Sequence, residues 1–390
     1  TRRCASHARP SRGQPSGISW LDRVLLARAP GSAATMDMHH PPREHAAGDA
    51  EVRDEDTAIP SLEGFEFTFD MSMTSGIIEP DPWTMSDSAS LSDSVQDFPE
   101  EFGRTYHAYR AGSYAFPNDA PEQERLWLQG ECVKKLLGDR LYLAPLSTSR
   151  PPRRILDVAT GVGDWPIQMG DMFPESLVIA TDLSPIQPDE VPPNVHFYVE
   201  DSTDPWDFAH KFDYIHTRSS VGCWASFETQ VAEQAFAALE YGGWFESQEV
   251  DTNICCDDDT LGPEGPLVKW FDDLMIASGM ADRPAILGAT LKEVYEKVGF
   301  VDIQQRAVKM PIGGWAKDSR LKEIGWMWQA NLANGLGGFS YQLLNRAFNR
   351  TAAEIEVSLI EVRRHLFDPR IHAYMPGFIV WGRKPYPGEV

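Results

Sequence analysis

The sequence predicts an α/β fold built on a mostly parallel, doubly wound sheet, and three observations predict it. Short apolar runs recur between residues 154 and 250, each of a length that suits a buried strand. Helical patterns separate them, and strict alternation of the two kinds of segment covers a parallel sheet on both faces. The first run also ends in an acid and passes through a glycine-rich turn directly into a helix.

The elements follow in order. Residues 122–137 have helical spacing, with Leu126, Gly130, Val133 and Leu137 on one face. Strands are expected at 154–158, 177–182, 195–199, 212–216 and 244–250, with helices at 164–173 and 230–239 and a turn at 241–243. Beyond Val268 the pattern is mainly helical, at about 268–279, 290–298, 317–334 and 340–366. That last stretch is too long for one crossover, so it predicts a helical cap insertion, about 310–370, over the C-terminal edge of the sheet. Residues 377–383 read as a closing strand.

Composition bounds the function. The 390 residues are 42% hydrophobic and 24% charged, enough for a sizeable core. No run of 18 apolar residues exists, which excludes a membrane-spanning helix. A formal net charge of −23 argues against a surface that binds nucleic acid directly. Five cysteines without a CxxC pair argue against a disulfide framework or a structural zinc site, and the ten histidines form no HExxH pattern.

The charge is uneven. Residues 1–35 hold six Arg against one Asp, a composition like that of a transit peptide. Met36 and Met38 then precede an abrupt change, so the preferred expectation is an extension outside the native reading frame. Residues 36–104 hold 17 acids against three Arg and show no sustained period. Residues 1–100 are therefore expected to be a disordered tail, with the ordered domain at 101–390.

The chemistry concentrates at Asp157-Val158-Ala159-Thr160-Gly161-Val162-Gly163-Asp164. Glycines at Gly161 and Gly163 permit close approach of a ligand to the backbone, and a helix N-terminus presents free N–H groups. Asp182 ends the next predicted strand, where a carboxylate can hold both hydroxyls of a ribose or, alternatively, cap the turn into Leu183-Ser184-Pro185. Asp201-Ser202 follows the third strand at the same edge. A dinucleotide fingerprint needs a third glycine near position 166, where Trp165-Pro166 stands, and a phosphate loop needs a Lys that is missing. Acid-x-Gly-x-Gly followed by two strand-end acids instead suits S-adenosylmethionine, whose sulfonium and amino groups are cationic.

With those residues in place, the chain resembles the class I methyltransferases, which have a Rossmann-like fold. More narrowly it resembles the LaeA-like fungal methyltransferases, regulators of secondary metabolism. The resemblance rests on ILDVATGVGDWPI (155–167), ATDLSPIQPDEVPPNVHFYVEDSTDPWDF (180–208), KFDYIHTR (211–218), LEYGGWFESQEVD (239–251), MPIGGWAKDSRLKEIGWMW (310–328) and IHAYMPGFIVWGRKP (371–385). It implies that Asp157, Ala159, Thr160, Gly161 and Gly163 line the methionine part of the cofactor, Asp182 and Leu183 the ribose, and Asp201 and Ser202 the adenine. Tyr109, in the segment 106–110, would belong to a lid. Ala159 replaces the family's first glycine, harmless at negative φ and strained otherwise.

No catalytic residue is assigned. His216, Arg218, Trp224 and Glu249 sit near strand ends and are equally well structural. The resemblance implies a methyltransferase of unknown acceptor in the nucleus or cytoplasm. The alternatives are a regulatory subunit of a velvet-type complex and a small-molecule methyltransferase of a biosynthetic pathway.

Overall fold

The computed structural model describes residues 93–389, so the expectations for residues 1–92 lie outside the described residues. Residues 93–100, within the expected tail, carry structure continuous with the domain. A short helix, Asp93–Gln96, leads to a two-stranded hairpin, Glu100–Glu101 with Arg104–Thr105. Distant partners hold it: Gln342 donates to Glu101 (2.7 Å) and the Phe102 ring stacks on Tyr341 (5.6 Å). Local composition cannot register partners some 240 positions away.

The main sheet has eight strands. In chain order the elements are α1 Ala120–Leu136, β1 Arg154–Val158, α2 Asp164–Met172, β2 Leu177–Asp182, β3 Val195–Val199 and β4 Phe212–Arg218. A π-helical turn Glu228–Ala232 runs into α3 Glu233–Ala238, followed by β5 Leu239–Val250 and β6 Cys255–Cys256. Then come α4 Pro266–Met280, α5 Leu291–Val298, β7 Val301–Pro311, α6 Ser319–Phe348, α7 Ala352–Leu366 and β8 Ala373–Arg383. The sheet order is β3-β2-β1-β4-β5-β8-β6, with β7 also paired to β8. The first five strands are parallel, and β8 runs antiparallel to β5, β6 and β7.

Three expectations are corrected. Residues 301–311 form a strand that the sequence reading passed over, an outer strand that opens with half-buried Val301 and Ile303 alternating with exposed Asp302 and Gln304. Residues 241–243 are a bulge within β5, where Leu239 pairs Phe212 but Trp244 already pairs Tyr214. The break expected near residue 335 is absent: α6 runs unbroken through its glycines and stops at Asn349, φ 53°. These glycines serve close packing. A Cβ on Gly325 would lie 2.1 Å from the Gly313 carbonyl oxygen.

Caps fix the helices that flank the site. Asp119 accepts from the Glu122 N–H at the start of α1, and Asp318 from Arg320 and Leu321 at the start of α6. Pro166 sits third in α2, among the N–H positions without an intrahelical partner, so it costs no hydrogen bond. Ile155, Trp165, Met169, Val178, Val195 and Tyr214 pack one core under the parallel strands. A second core joins α1, α4, α6 and α7 to β8.

Candidate functional site

A cleft of about 1190 Å³, counted with its open mouth, lies at the C-terminal ends of β1 to β4. Asp157, Ala159, Thr160, Gly161, Asp182, Leu183, Asp201 and Ser202 all line it. Two expected residues do not. Gly163 stands behind the lining at φ 78°, and a Cβ there would strike the Phe197 ring at 2.6 Å, so its glycine serves helix–strand packing. Tyr109 lies beside Arg110, whose guanidinium is 5.7 Å from its ring and reaches Asp204. A few residues further on, Ser113, Tyr114, Phe116, Pro117 and Asn118 line the cleft instead. An aromatic-rich run ending in the N-cap Asp119 was the available signal for them.

The turn is held from below. The Thr160 hydroxyl donates to Asp157 Oδ2 (2.6 Å), and His216 Nδ1 meets Asp157 Oδ1 at 2.7 Å. His216 is fully buried, stacked on Trp165 at 3.8 Å, and its Nε2 has no partner among the described residues. Register places Asp157, His216 and Glu246 side by side on β1, β4 and β5. Glu246 accepts from the Leu143 and Ala144 N–H groups and from Gln248, and burial raises its pKa. Asp157, which lines the cleft as expected, thus also holds the loop in shape from below.

Ala159 has φ 57°, the strained alternative raised for this position. A left-handed residue with a Cβ costs about 1–2 kcal/mol.

Asp182 does cap its turn. Gly161 N–H donates to Oδ2 (2.8 Å) and Ser184 N–H to Oδ1 (2.9 Å). Each oxygen retains a second lone pair toward the cleft. Burial pushes this carboxyl up to about 6, against the opposing pull of the two amides. Asp201 accepts from Thr203 N–H (3.0 Å) and its hydroxyl (2.7 Å), and Ser202 Oγ accepts from Trp224 Nε1 (2.8 Å).

The four unassigned candidates are all engaged. His216 and Trp224 have the partners just given. Arg218 binds both oxygens of Asp164 at 2.9 Å, which removes one positive charge from the wall. Glu249 accepts from Ser220 N–H (2.9 Å) and Oγ (2.5 Å), and burial lifts it to about 8. Glu200, Asp182 and Asp201 leave the cleft net acidic, which favours a cationic ligand. No group of three or more His, Cys, Asp or Glu among the described residues is placed to hold a metal ion.

Comparison with known proteins adds a family. A family model described as a methyltransferase domain matches residues 129–305. "Methyltransferase pytC" of Aspergillus terreus is 36% identical over 304 residues, covering 78% of this chain and 93% of the relative. "Secondary metabolism regulator LAE1" of Cochliobolus heterostrophus is 33% identical over 290 residues, covering 73% and 94%. "Protein-methionine methyltransferase laeA" of Emericella nidulans is 30% identical over 325 residues, covering 78% and 83%.

Proposed function

This chain belongs to the LaeA-like class I methyltransferases, and on that premise we propose that its cleft binds S-adenosylmethionine and donates the methyl group to an acceptor entering beside Tyr114. One observation carries the reading: a left-handed turn and the ends of three parallel strands bring Asp182, Asp201 and Ser202 to one acidic cleft. When bound, the cofactor supplies an electrophilic methyl, whose S–CH3 bond breaks as an acceptor lone pair forms the new bond and a neutral thioether is left.

The residues present fit such a group. Asp182 offers its remaining lone pairs to vicinal hydroxyls, and Asp201 with Ser202 lines the same cleft for the adenine. The pairing of Arg218 with Asp164 spares a cationic ligand an opposing charge. No base is required of the protein where the acceptor is already nucleophilic, so its contribution is alignment. The strained turn and its buried supports serve that purpose. Relatives are named both as methyltransferases and as regulators of secondary metabolism, so the fold alone does not separate those two roles.

Isothermal calorimetry tests this. Saturable one-to-one binding of S-adenosylhomocysteine, with no heat from NAD, is the expected outcome. Saturable NAD binding without a response to S-adenosylhomocysteine overturns the reading.

A further inference from the structure

A second cavity of about 810 Å³, counted with its open mouth, adjoins the cleft and shares with it Tyr114, Phe116, Leu126, Gln129 and Ser219. We propose that this cavity is the acceptor chamber and that it takes a neutral, ring-bearing small molecule carrying a carbonyl or ether oxygen. The proposal rests on the reading of the adjoining cleft as the cofactor site.

The lining supports each part of that description. Tyr114, Phe116, Trp270, Phe271, Trp328 and Phe339 surround the space, and aromatic walls favour flat ligands that stack or meet them edge-on. Asp, Glu, His and Lys are all absent from the lining. Its one full charge, Arg125, is 3% exposed and already paired: Nη2 reaches Glu122 Oε1 at 2.7 Å and Nε at 3.0 Å. The guanidinium also lies 4.8 Å from the Phe339 ring. A charged ligand would find no counter-charge here and would lose its hydration, a heavy penalty.

The polar end has a definite sense. Arg125 Nη1 donates to the side-chain oxygens of Gln129 (2.7 Å) and Asn331 (3.0 Å). Each of those oxygens keeps one lone pair, and the two NH2 groups supply N–H donors that match a carbonyl or ether oxygen. Burial holds the Tyr114 phenol well above 10, so at the junction it is a hydrogen-bond donor and no base. Ser219 marks the junction with a left-handed backbone, φ 54°, the kind of strain that collects at functional sites.

The probe is Nile red, a neutral, planar dye with a carbonyl, titrated into the full chain with and without S-adenosylhomocysteine. Saturable binding at one site per chain is expected. Leu274→Trp and Ser278→Leu, which fill the chamber, should each weaken it at least tenfold while S-adenosylhomocysteine affinity stays within twofold. Circular dichroism melts show whether each variant is folded; if one is not, the other decides. Non-saturable dye binding, indifference to the filling substitutions, or tighter binding of the anionic dye 8-anilinonaphthalene-1-sulfonate overturns the proposal. Stoichiometric displacement of the dye by a methionine-bearing peptide replaces the small molecule with a peptide acceptor. Failure of S-adenosylhomocysteine to bind the parent sinks the cofactor reading itself; its binding without any dye response sinks only the chamber.

Discussion

Asp182→Asn separates the two roles that one carboxylate plays. In the free protein the group anchors Gly161 and Ser184, while burial raises it from 3.8 to about 6. That rise corresponds to about 3 kcal/mol against the charged form, less where the open cleft screens it. A group whose folded pKa is raised holds its proton more tightly in the folded state. Its stabilising contribution is therefore full below pH 3.8 and lost as pH rises to about 6. Asn removes the buried charge but leaves one backbone N–H facing an NH2 group, a cost of about 1–3 kcal/mol. The two nearly cancel at pH 8, so the apo melting temperature should shift by only a few degrees. Affinity behaves differently. Ligand hydroxyls that donate to the carboxylate favour its charged form and pull its pKa back down. If it returns to the ordinary range, affinity for S-adenosylhomocysteine should fall roughly tenfold between pH 8 and pH 5. The Asn variant should bind about ten- to a hundredfold more weakly at pH 8, for the loss of about 1.5–3 kcal/mol. Its affinity should also be flat with pH. Calorimetry at pH 5, 6, 7 and 8 reads both. A parent whose affinity does not change over that range, or a variant that keeps the parent's slope, refutes the contact between Asp182 and the cofactor.

Other substitutions probe the supports. Gly163→Ala places a methyl 2.6 Å from Phe197 in a left-handed residue, and thermal melts should show a loss of about 2–4 kcal/mol. Ala159→Gly relieves φ 57° but adds freedom to the unfolded chain, so a net gain of about 0.5–1 kcal/mol is expected; a lower melting temperature would mean the strain is not there. Glu249, lifted to about 8 by burial, should make stability decline as pH rises from 4.5 to 8. In Glu249→Gln that decline should be shallower in denaturation midpoints measured across the range.

The parallel half of the fold was legible because its strands, apart from the edge strand β3, are largely buried on both faces and read as apolar runs. The antiparallel half was harder. β7 is largely exposed, so its Gln304, Gln305 and Arg306 resemble loop, and its partner β8 lies some 70 residues further on. The glycines of α6 punctuate a sequence yet fill a packing seam in three dimensions, a difference only the neighbouring backbone reveals. At the site, Asp182, Asp201 and the turn could be found from their place at strand ends. Asp157 could be placed at the cleft from its strand end, but its hold on His216, 59 positions away, arises only through the register of β1 and β4. Arg125 is charged yet buried, paired with Glu122 and held to Asn331 of α6, a contact 206 positions away that brings it to the wall of the second cavity.

The row Asp157, His216, Glu246 has a consequence for anyone who would graft this loop elsewhere. Residues 157–163 take their shape from a histidine on one strand and rest, beyond it, on a glutamate that grips the amides of Leu143 and Ala144. Leu141 in that same outlying segment accepts from Trp165 at the start of α2 and from Gln248 beside Glu246, which closes a ring of contacts. The transplantable unit is therefore a slice across three strands and a connecting segment. A chimera that carries only the contiguous stretch would bring the glycines without the scaffold that bends them.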